Sequence, residues 1–508
     1  MFPKEKRWII LLLASLTFYF MANSWLILFV IFTSLYIYMC GLAMDYLNKS
    51  SISRQIETPS ISSVERQQAM QSKKHLAMWA VILILTALVL LKYTPFIITN
   101  INNVLALVLP QVSIPLLKFV VPLGISFYSL QAISYCVDVY RGTIEVEKNP
   151  LKLALYLTFF PTIMQGPITR YKAIQESLFA GYAITAVSLT NGVQRITWGL
   201  FKKIVIADRL NSLVVSIIDV DNAGFSGSII LIGALVYTIQ LYMDFSGIVD
   251  ISLGTAEIFN ITLPENFRQP FFATTVVEFW KRWHVTLGLW LKDYVFYPVM
   301  LSRHMKQFTK RTRRIFGKHT ALLITNIIAL FAVWFCNGLW HGTGWNYLLY
   351  GMYYFMLISL SVVCAPVILL VKKKLHINDK SVSFRIFQGF KMITIIVIGE
   401  LIFRVESIWK ILSLAKNVIF KFEILDVSNG FFERFSFNIF DFWIGIVAII
   451  LVLIVDIMKE KKIDPRRSIN SRPILIRWTL SYLIILFIVI FGAYGPGYTP
   501  VDIIYAGF

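Results

Sequence analysis

Long apolar runs separated by short polar segments follow one another along most of the chain. A helix needs about 20 apolar residues to cross the hydrocarbon core of a bilayer, and on that measure the pattern predicts about eleven to thirteen spans, some of which only dip into the membrane. The candidate spans are 7–41 (two short spans), 76–94, 103–121, 123–139, 151–168, 194–208, 226–243, 320–340, 342–371, 387–405, 438–457 and 475–494. The pattern therefore predicts an all-α polytopic membrane protein.

Residues 263–299 do not fit an ordinary span, because Trp, Arg, Lys, His and Asp are mixed with the apolar residues. Irregular backbone at membrane depth is tolerated only where protein or water surrounds it. This segment is therefore predicted to be amphipathic or re-entrant and to line a cavity. No linker or repeat divides the chain, so we expect one integral membrane domain over 1–508, with N-terminal spans at 7–41 and a cytoplasmic loop at 45–75.

The composition supports a membrane protein. Apolar residues make up 57% of the chain and the mean hydropathy is +0.69, whereas soluble domains contain about 45–50% apolar residues. The formal net charge of +20 is explained by basic cytoplasmic loops. Since no nucleic-acid reader motif accompanies that charge, we expect no nucleic-acid partner.

Cysteine usage and the N-terminus exclude some other classes. The four cysteines are widely spaced in apolar surroundings, and no His/Cys set has metal-ligand spacing, so neither a disulfide framework nor a metal site is expected. The N-terminal apolar run continues with little interruption and has no small-x-small cleavage site. An uncleaved first span is therefore expected in place of a signal peptide.

Basic loops predict the orientation of the spans. Residues 302–318, 372–380 and 459–467 are rich in Lys and Arg, which places them in the cytoplasm. Two spans must separate the first two loops, and the turn between them falls at Trp340-His341-Gly342. His341 is therefore predicted to lie toward the external side or beneath it in the membrane. Gly338, Gly342 and Gly344 near this turn weaken a helix and allow another backbone or a substrate to approach closely.

His341 is the most informative residue, because ionisable groups inside a membrane are costly and usually functional. The chain has only six histidines, and His284 repeats the Trp-His pairing of Trp340-His341. A neutral histidine can take a proton from a hydroxyl that attacks an acyl carbonyl. His284 or Asn337 can then hold the donor, stabilise the oxyanion or orient His341. The alternative interpretation is a structural histidine hydrogen-bonded between helices.

Other ionisable residues are weaker candidates. Asp244 and Asp250 are six residues apart and do not share a helical face, so a structural and a functional role are both open. Lys281 and Arg282 can attract an anionic donor or polymer, or lie at a headgroup boundary. Spacing predicts an ion pair between Glu400 and Arg404. The candidate substrate-binding residues are Asn337, Trp340, Trp283, Arg282, Lys281 and Asp244.

Several motifs in order give the chain a family resemblance. The stretches that carry it are PLGISFYSLQAISYCVDVYRG (122–142), FFPTIMQGPITRY (159–171), GLFKKIVIADRL (199–210), YTIQLYMDFSGIVDISLG (237–254), LPENFRQPF (263–271), FWKRWHVTLGLWLKDYVFYP (279–298), GLWHGTGWNYLLYG (338–351) and FGAYGPGY (491–498). From about residue 90 to the C-terminus the chain resembles the membrane-bound O-acyltransferases, especially their alginate O-acetylation branch. The resemblance implies a ring of helices around a central funnel. It also implies that His341 is the essential histidine and His284 the second conserved position.

The resemblance implies a function as well. An acetyl group would pass from cytoplasmic acetyl-CoA to hydroxyls of an exported cell-surface polysaccharide, directly or through an extracytoplasmic SGNH or esterase-like partner. No tightly bound cofactor is expected, and the protein would be a multi-pass protein of the cell membrane. The chain departs from the pattern at Tyr353-Tyr354, where relatives often have a further histidine, and after YxxxP, where it lacks a glycine pair.

Two alternatives stay open. The related D-alanyl transferase branch shares both Trp-His elements, so the substrate pair can instead be a carrier-protein thioester and teichoic acid. An interpretation from another class is a transporter or scaffold that forms no covalent bond. Many spans around a central polar residue suit transporters, although the chain has no internal repeat of the kind common in those folds.

Overall fold

The computed structural model describes residues 3–57, 62–117, 119–220, 224–427, 430–495 and 497–502. Over these ranges the regular structure is helical and contains no strand, which confirms the predicted all-α class. The residues form two compact units: residues up to 192 with 252–264, and residues 193–251 with 265–502. The single domain expected over 1–508 stays a prediction.

The first helices of the chain, in order, have the following bounds: α1 (Arg7–Asn23), α2 (Ile27–Glu57), α3 (Ser62–Leu88), α4 (Thr94–Val108), α5 (Ile125–Arg141), α6 (Pro150–Thr158), α7 (Phe160–Ile163), α8 (Tyr171–Phe179), α9 (Ala186–Leu200), α10 (Asp208–Val214) and α11 (Gly227–Ile258). The later helices are α12 (Val276–Trp280), α13 (Val285–Leu291), α14 (Tyr297–Leu301), α15 (Arg303–His341), α16 (Trp345–Val363), α17 (Ala365–Lys374), α18 (Val382–Arg404), α19 (Ile408–Phe420), α20 (Phe431–Arg434), α21 (Ile439–Glu460), α22 (Pro465–Asn470) and α23 (Ile474–Phe491). Four π-helical segments interrupt them: Val89–Tyr93, Phe201–Ala207, Val215–Asp219 and Lys292–Phe296.

The first unit begins with the two N-terminal helices expected within residues 7–41. A positive φ of 44° at Ser24 ends α1 and separates it from α2. Helix α2 packs against α3 and α5, and α1 packs against α6. The predicted cytoplasmic loop 45–75 is helical in its described parts, since α2 extends to Glu57 and α3 begins at Ser62; residues 58–61 of that loop lie outside the described residues. Polar composition marks this segment as solvent-exposed but does not prevent helix formation.

The second unit contains the helical hairpin of α15 and α16, and α16 also packs against α18. Helix α15 is kinked at Gly317, where φ is +78° and ψ is 172°. Its first part is the basic segment 302–318, which was expected to be a loop and is helical from Arg303. The predicted span 342–371 is divided at Cys364 into α16 and α17, and Pro366 in the first turn of α17 marks the break.

Eight helical segments of the described chain are long and apolar enough to cross a membrane, which supports a multi-pass membrane protein. They are Lys4–Ser50, Gln67–Val108, Gly227–Ile258, Arg303–His341, Trp345–Val363, Val382–Arg404, Ile439–Glu460 and Ile474–Phe491. The segment predicted at 151–168 falls outside this set, because the chain breaks after Thr158 into α6 and α7. Similarly, 123–139 forms α5, which is only 17 residues long and largely buried.

Residues 263–299 form short helices joined by irregular backbone, as their mixed composition predicts. Helices α12 and α13 are separated at His284, whose φ is +46°. Backbone hydrogen bonds connect the two arms of the segment: the amide of Arg268 donates to the carbonyl of Arg282, and the amide of Val285 donates to that of Asn266. The segment therefore holds its irregular backbone groups by pairing them within the protein.

Candidate active site

The turn after α15 places His341 at the C-terminal end of that helix. Glycines allow α15 and α16 to pack closely together next to His341. A Cβ on Gly338 would lie 2.6 Å from the carbonyl oxygen of Tyr347, and one on Gly351 would lie 2.3 Å from that of Trp334. The helix backbones are therefore nearly in contact, as predicted for Gly338, and this fixes where α15 ends.

His284 is held by the polar side chain of Asn266. Asn266 Oδ1 accepts from the backbone amide of Thr286 at 3.1 Å and from its hydroxyl at 2.9 Å, and it lies 3.2 Å from His284 Nδ1. A backbone amide can only donate, so the facing Asn266 atom is the oxygen. His284 Nδ1 must then carry the proton, and Nε2 is the basic nitrogen of this imidazole.

The left-handed backbone at His284 has an energetic consequence. A residue with a Cβ pays about 1–2 kcal/mol for this conformation, and the surrounding hydrogen bonds must impose it. His284 is 1% exposed. Burial lowers its pKa to about 3, because desolvation penalises the charged form. The imidazole is therefore neutral over the physiological pH range.

The two histidines lie side by side in aromatic surroundings. Their ring centroids are 6.4 Å apart, and the Trp340 ring contacts both, at 5.4 Å from His284 and 5.1 Å from His341. Tyr350 and Phe403 pack edge-on against His341 at 5.7 and 5.3 Å. Both histidines are buried. The two imidazoles therefore belong to one buried cluster of aromatic side chains.

Buried polar atoms near the histidines are left without partners. Asn337, one turn before His341 on α15, is 3% exposed. Its Oδ1 atom, Trp280 Nε1 and the Tyr354 hydroxyl accept or donate no hydrogen bond to any residue the structure describes. Trp280 and Tyr354 pack against each other, with centroids 4.8 Å apart. Unpaired buried polar groups are costly, and they are common at sites that bind a polar ligand or water.

Trp283 and the two basic residues before it occupy different surroundings from His341. Trp283 stacks on Phe279, with centroids 5.6 Å apart and planes inclined by 23°. Arg282 pairs with Glu278 and with Glu460, each at 2.7 Å. Lys281 is exposed. The structure therefore groups His341, His284 and Trp340, whereas Arg282 connects α12 to the end of α21.

Asp244 also lies in an ion pair. Consecutive lysines in the π-helical segment Phe201–Ala207 bind the two acids of α11: Lys203 lies 2.6 Å from Asp244, and Lys202 lies 2.6 Å from Asp250. Arg195 pairs with Asp250 at 3.0 Å. The two acids are six residues apart on α11, and two consecutive lysines reach them by pointing in different directions. A π-helical insertion can produce such an arrangement of lysines.

A polar cleft opens beside this ion-pair network. Its lining includes Arg195, Lys202, Tyr242, Asp250, Asp456 and Lys459. The volume that the centres of water molecules can occupy in this cleft is about 30 Å³. This is enough for one or two water molecules. The lining charges largely pair with each other, so the cleft is a polar part of the second unit and does not form an anion site.

The comparisons with known proteins identify the family of this chain. The model of the membrane-bound O-acyltransferase family (MBOAT) matches residues 145–398, which is half of the chain. The chain belongs to this family. Both histidines and the surrounding aromatic residues up to Tyr354 lie within the matched range.

Among curated relatives, the chain is similar to the probable alginate O-acetylase AlgI of Pseudomonas syringae pv. tomato, at 31% identity over 56% of this chain and 49% of the relative. It is 30% identical to the peptidoglycan O-acetyltransferase of Helicobacter pylori over 51% and 50%, respectively. It is 28% identical to the teichoic acid D-alanyltransferase of Bacillus subtilis over 47% and 58%. The chain spans about half the length of the curated relatives it matches.

Sequence reasoning missed several residues that surround the histidines of this MBOAT protein. Asn266 was visible only as a polar residue in a matching motif, and Tyr350 only as one aromatic residue among many. The ion pair predicted between Glu400 and Arg404 is wrong: Arg404 pairs with Asp219 at 2.5 Å. Asp219 lies outside the i, i+4 window, so helical spacing could not reveal it.

Proposed function

We propose that this protein transfers an acetyl group from acetyl-CoA to hydroxyls of an exported cell-surface polysaccharide. The observation that carries the proposal is the placement of His284 and His341, with rings 6.4 Å apart, in a chain of the O-acyltransferase family. Two of the relatives are named for O-acetylation, one of alginate and one of peptidoglycan. The chemistry follows from what a buried imidazole can do to a hydroxyl.

In the proposed reaction, His341 acts as the general base. Its imidazole removes the proton of the acceptor hydroxyl while the hydroxyl oxygen attacks the thioester carbonyl carbon. The tetrahedral intermediate collapses when the carbon–sulfur bond breaks, and the imidazolium returns the proton to the departing thiolate. One ester is formed, one thioester is consumed, and no net proton is taken up by the protein.

His284 has a different part in this proposal. Its Nδ1–H is committed to Asn266 Oδ1 and burial keeps the ring neutral, so Nε2 can only accept a hydrogen bond. A neutral acceptor cannot stabilise an oxyanion. His284 is therefore suited to accept a hydrogen bond from a second hydroxyl of the acceptor, which positions the reacting hydroxyl so that its own proton faces His341.

We place the donor on the cytoplasmic side and the acceptor on the outer side. The support is the distribution of charge along the chain. Basic segments lie in the first part of α15 and at the end of α17, away from the turn of the α15–α16 hairpin, whereas His341 lies at that turn. The acetyl group then reaches the polysaccharide directly or through an esterase-like partner outside the membrane. The proposed reaction takes place in the cell membrane.

The second candidate is D-alanyl transfer from a carrier-protein thioester to teichoic acid. The observation in its favour is the 28% identity to a teichoic acid D-alanyltransferase. The same imidazole chemistry applies, since a hydroxyl attacks a thioester in both reactions. The two candidates differ in the group that appears on the surface polymer.

The test is mass spectrometry of surface polysaccharides from cells that carry the wild-type gene, His341→Ala or His319→Ala. His319 lies on the same helix and is exposed, so its variant is the matched control. We expect acetyl esters in the wild type and the control, and their loss in His341→Ala. D-alanyl esters in place of acetyl esters would establish the second candidate, and unchanged esters in His341→Ala would refute both.

A further inference from the structure

Glu400 is a buried carboxyl group on α18 that faces tyrosines. It is 1% exposed. The hydroxyl of Tyr350 donates to its Oε1 atom at 3.4 Å. Arg404, one helical turn later, is bound to Asp219. Among the residues that the structure describes, no ion pair involves Glu400.

A buried carboxyl without a cation is expensive to maintain in a membrane protein, so its presence calls for a function. Two neighbouring tyrosines donate no hydrogen bond to this carboxyl group. The Tyr353 hydroxyl donates to the carbonyl of Ile395 at 3.0 Å, and the Tyr354 hydroxyl lies over Gly399, where a Cβ would be 2.4 Å from it. Tyr350 is therefore the tyrosine whose hydroxyl the structure directs to Glu400.

Tyr350 connects this carboxyl to the proposed base. Its ring meets the His341 ring edge-on, with centroids 5.7 Å apart and planes at 88°. Phe403 contacts both rings, at 5.2 Å from Tyr350 and 5.3 Å from His341. The His341 imidazole therefore packs against two aromatic rings, those of Tyr350 and Phe403. The hydrogen bond made by the Tyr350 hydroxyl fixes the orientation of the Tyr350 ring.

We propose that Glu400 is a positioning residue: by accepting the hydroxyl hydrogen of Tyr350, it sets the orientation of the His341 imidazole for proton transfer. This inference rests on the proposed function, because it assigns His341 the role of base. Small misplacements of a catalytic group cost about 100-fold in rate. The effect should therefore appear in kcat, with little change in the KM for the acyl donor.

The experiment compares full-length wild type with Tyr350→Phe, Glu400→Met, Glu400→Gln and the double variant Tyr350→Phe/Glu400→Met. Purified protein in nanodiscs is given acetyl-CoA and the host's own surface polysaccharide after mild base has removed its esters, and release of the CoA thiol is followed. We expect kcat to fall about 10- to 100-fold in Tyr350→Phe and Glu400→Met. Glu400→Gln keeps an acceptor oxygen and should stay within about threefold of wild type.

The double variant separates positioning from general packing. If Glu400 acts through Tyr350, the double variant loses no more than either single variant, because both remove the same hydrogen bond. The proposal would be overturned if the fold-losses in kcat of the two single variants multiplied in the double variant. It would also be overturned by an undiminished kcat in Tyr350→Phe, or by a Glu400→Gln variant as slow as Glu400→Met. Should Glu400→Met fail to fold, Tyr350→Phe and Glu400→Gln still decide it.

Different results overturn the proposed function and the positioning role of Glu400. A wild type that releases no CoA thiol even when host membrane extract supplies any extracytoplasmic partner, or a His341→Ala variant as fast as an active wild type, overturns the proposed function and the role of Glu400 with it. An active wild type, an inactive His341→Ala and a fully active Tyr350→Phe overturn the positioning role alone.

Discussion

Two histidines that are close in space have environments set by different neighbours. His284 is bound through Nδ1 to Asn266, whose oxygen also accepts two bonds from Thr286. His341 is enclosed by the rings of Trp340, Tyr350 and Phe403. The first arrangement fixes a tautomer and the second fixes a ring plane. A pair of imidazoles prepared in these two ways can divide the tasks of positioning the acceptor and deprotonating its reacting hydroxyl.

The depressed pKa of His284 predicts how stability depends on pH. In the folded protein burial lowers this pKa to about 3, while the unfolded chain titrates near its usual value of about 6.5. Between these values only the unfolded state binds the proton, so stability falls as the pH falls below about 6.5. We expect the Tm in detergent to drop more steeply from pH 7 to pH 5 in the wild type than in His284→Asn. Parallel Tm profiles would contradict the burial of a neutral imidazole at this position.

At the residue scale, the sequence was sufficient where a chemically unusual residue stood in an apolar run. His284 and His341 were selected in this way, and the structure brings them together. Asn266 and Tyr350 were not selected, and Glu400 was assigned only to an ion pair with Arg404, because their importance depends on contacts between segments far apart in the chain. Asp244 and Arg282 form ion pairs with other residues of the protein. Composition cannot distinguish a charged residue in such a pair from one that binds a ligand.

At the scale of elements, the kink of α15 is the feature that depends most on one residue. Gly317 has a φ of +78°, and a Cβ there would meet no atom within 4 Å. Strain of the backbone, not lack of space, therefore decides the effect of a substitution. Gly317→Ala should lower the stability by about 1–2 kcal/mol or straighten the helix, measured as a lower Tm or as altered spin-label distances across the kink.

The matched control for this variant is Gly389→Ala. Gly389 lies within α18, likewise with nothing within 4 Å of a Cβ, but without a positive φ. Replacing a helical glycine by alanine stabilises a helix by up to about 1 kcal/mol. The two variants should thus shift the Tm in opposite directions. Equal shifts would mean that Gly317 does not require its left-handed backbone.

Element boundaries followed the hydropathy pattern where a helix is apolar along its length, as in α18, α21 and α23. They did not where a helix is polar: the basic segment 302–318 and the segment 45–75 were expected to be loops and are helical wherever described. The reverse occurred at 151–168, where an apolar run is divided into two short helices. Hydropathy reports the surroundings of a segment, whereas proline position and tertiary contacts determine where a helix breaks.

At the scale of the whole molecule, the charge pattern predicts which side of the membrane the α15–α16 turn faces. Trp345, the first residue of α16, is 52% exposed, and Ile315 in the basic part of α15 is 73% exposed. In a variant with the native cysteines replaced, a membrane-impermeant maleimide should label Trp345→Cys in intact cells. It should label Ile315→Cys only after permeabilisation. The opposite pattern would place the turn in the cytoplasm and invert the proposed direction of transfer.

Family membership was recognisable from the sequence because the matching motifs occur in a fixed order over most of the chain, and the family match at residues 145–398 confirms it. These motifs do not determine the polymer, the acyl donor or the partner. The chain matches acetylating and D-alanylating relatives at similar identity, so the shared motifs do not distinguish the two groups.

The central claim is that His341 performs proton transfer in an acyl transfer reaction. Its most direct test is the rate at which purified protein moves radiolabelled acetyl from acetyl-CoA to de-esterified polysaccharide, in wild type, His341→Ala and His319→Ala. Loss of general-base catalysis lowers the rate by about 10²–10⁴-fold. The account predicts such a loss in His341→Ala, with His319→Ala at the wild-type rate. A His341→Ala protein that transfers acetyl within a few-fold of the wild-type rate would contradict it.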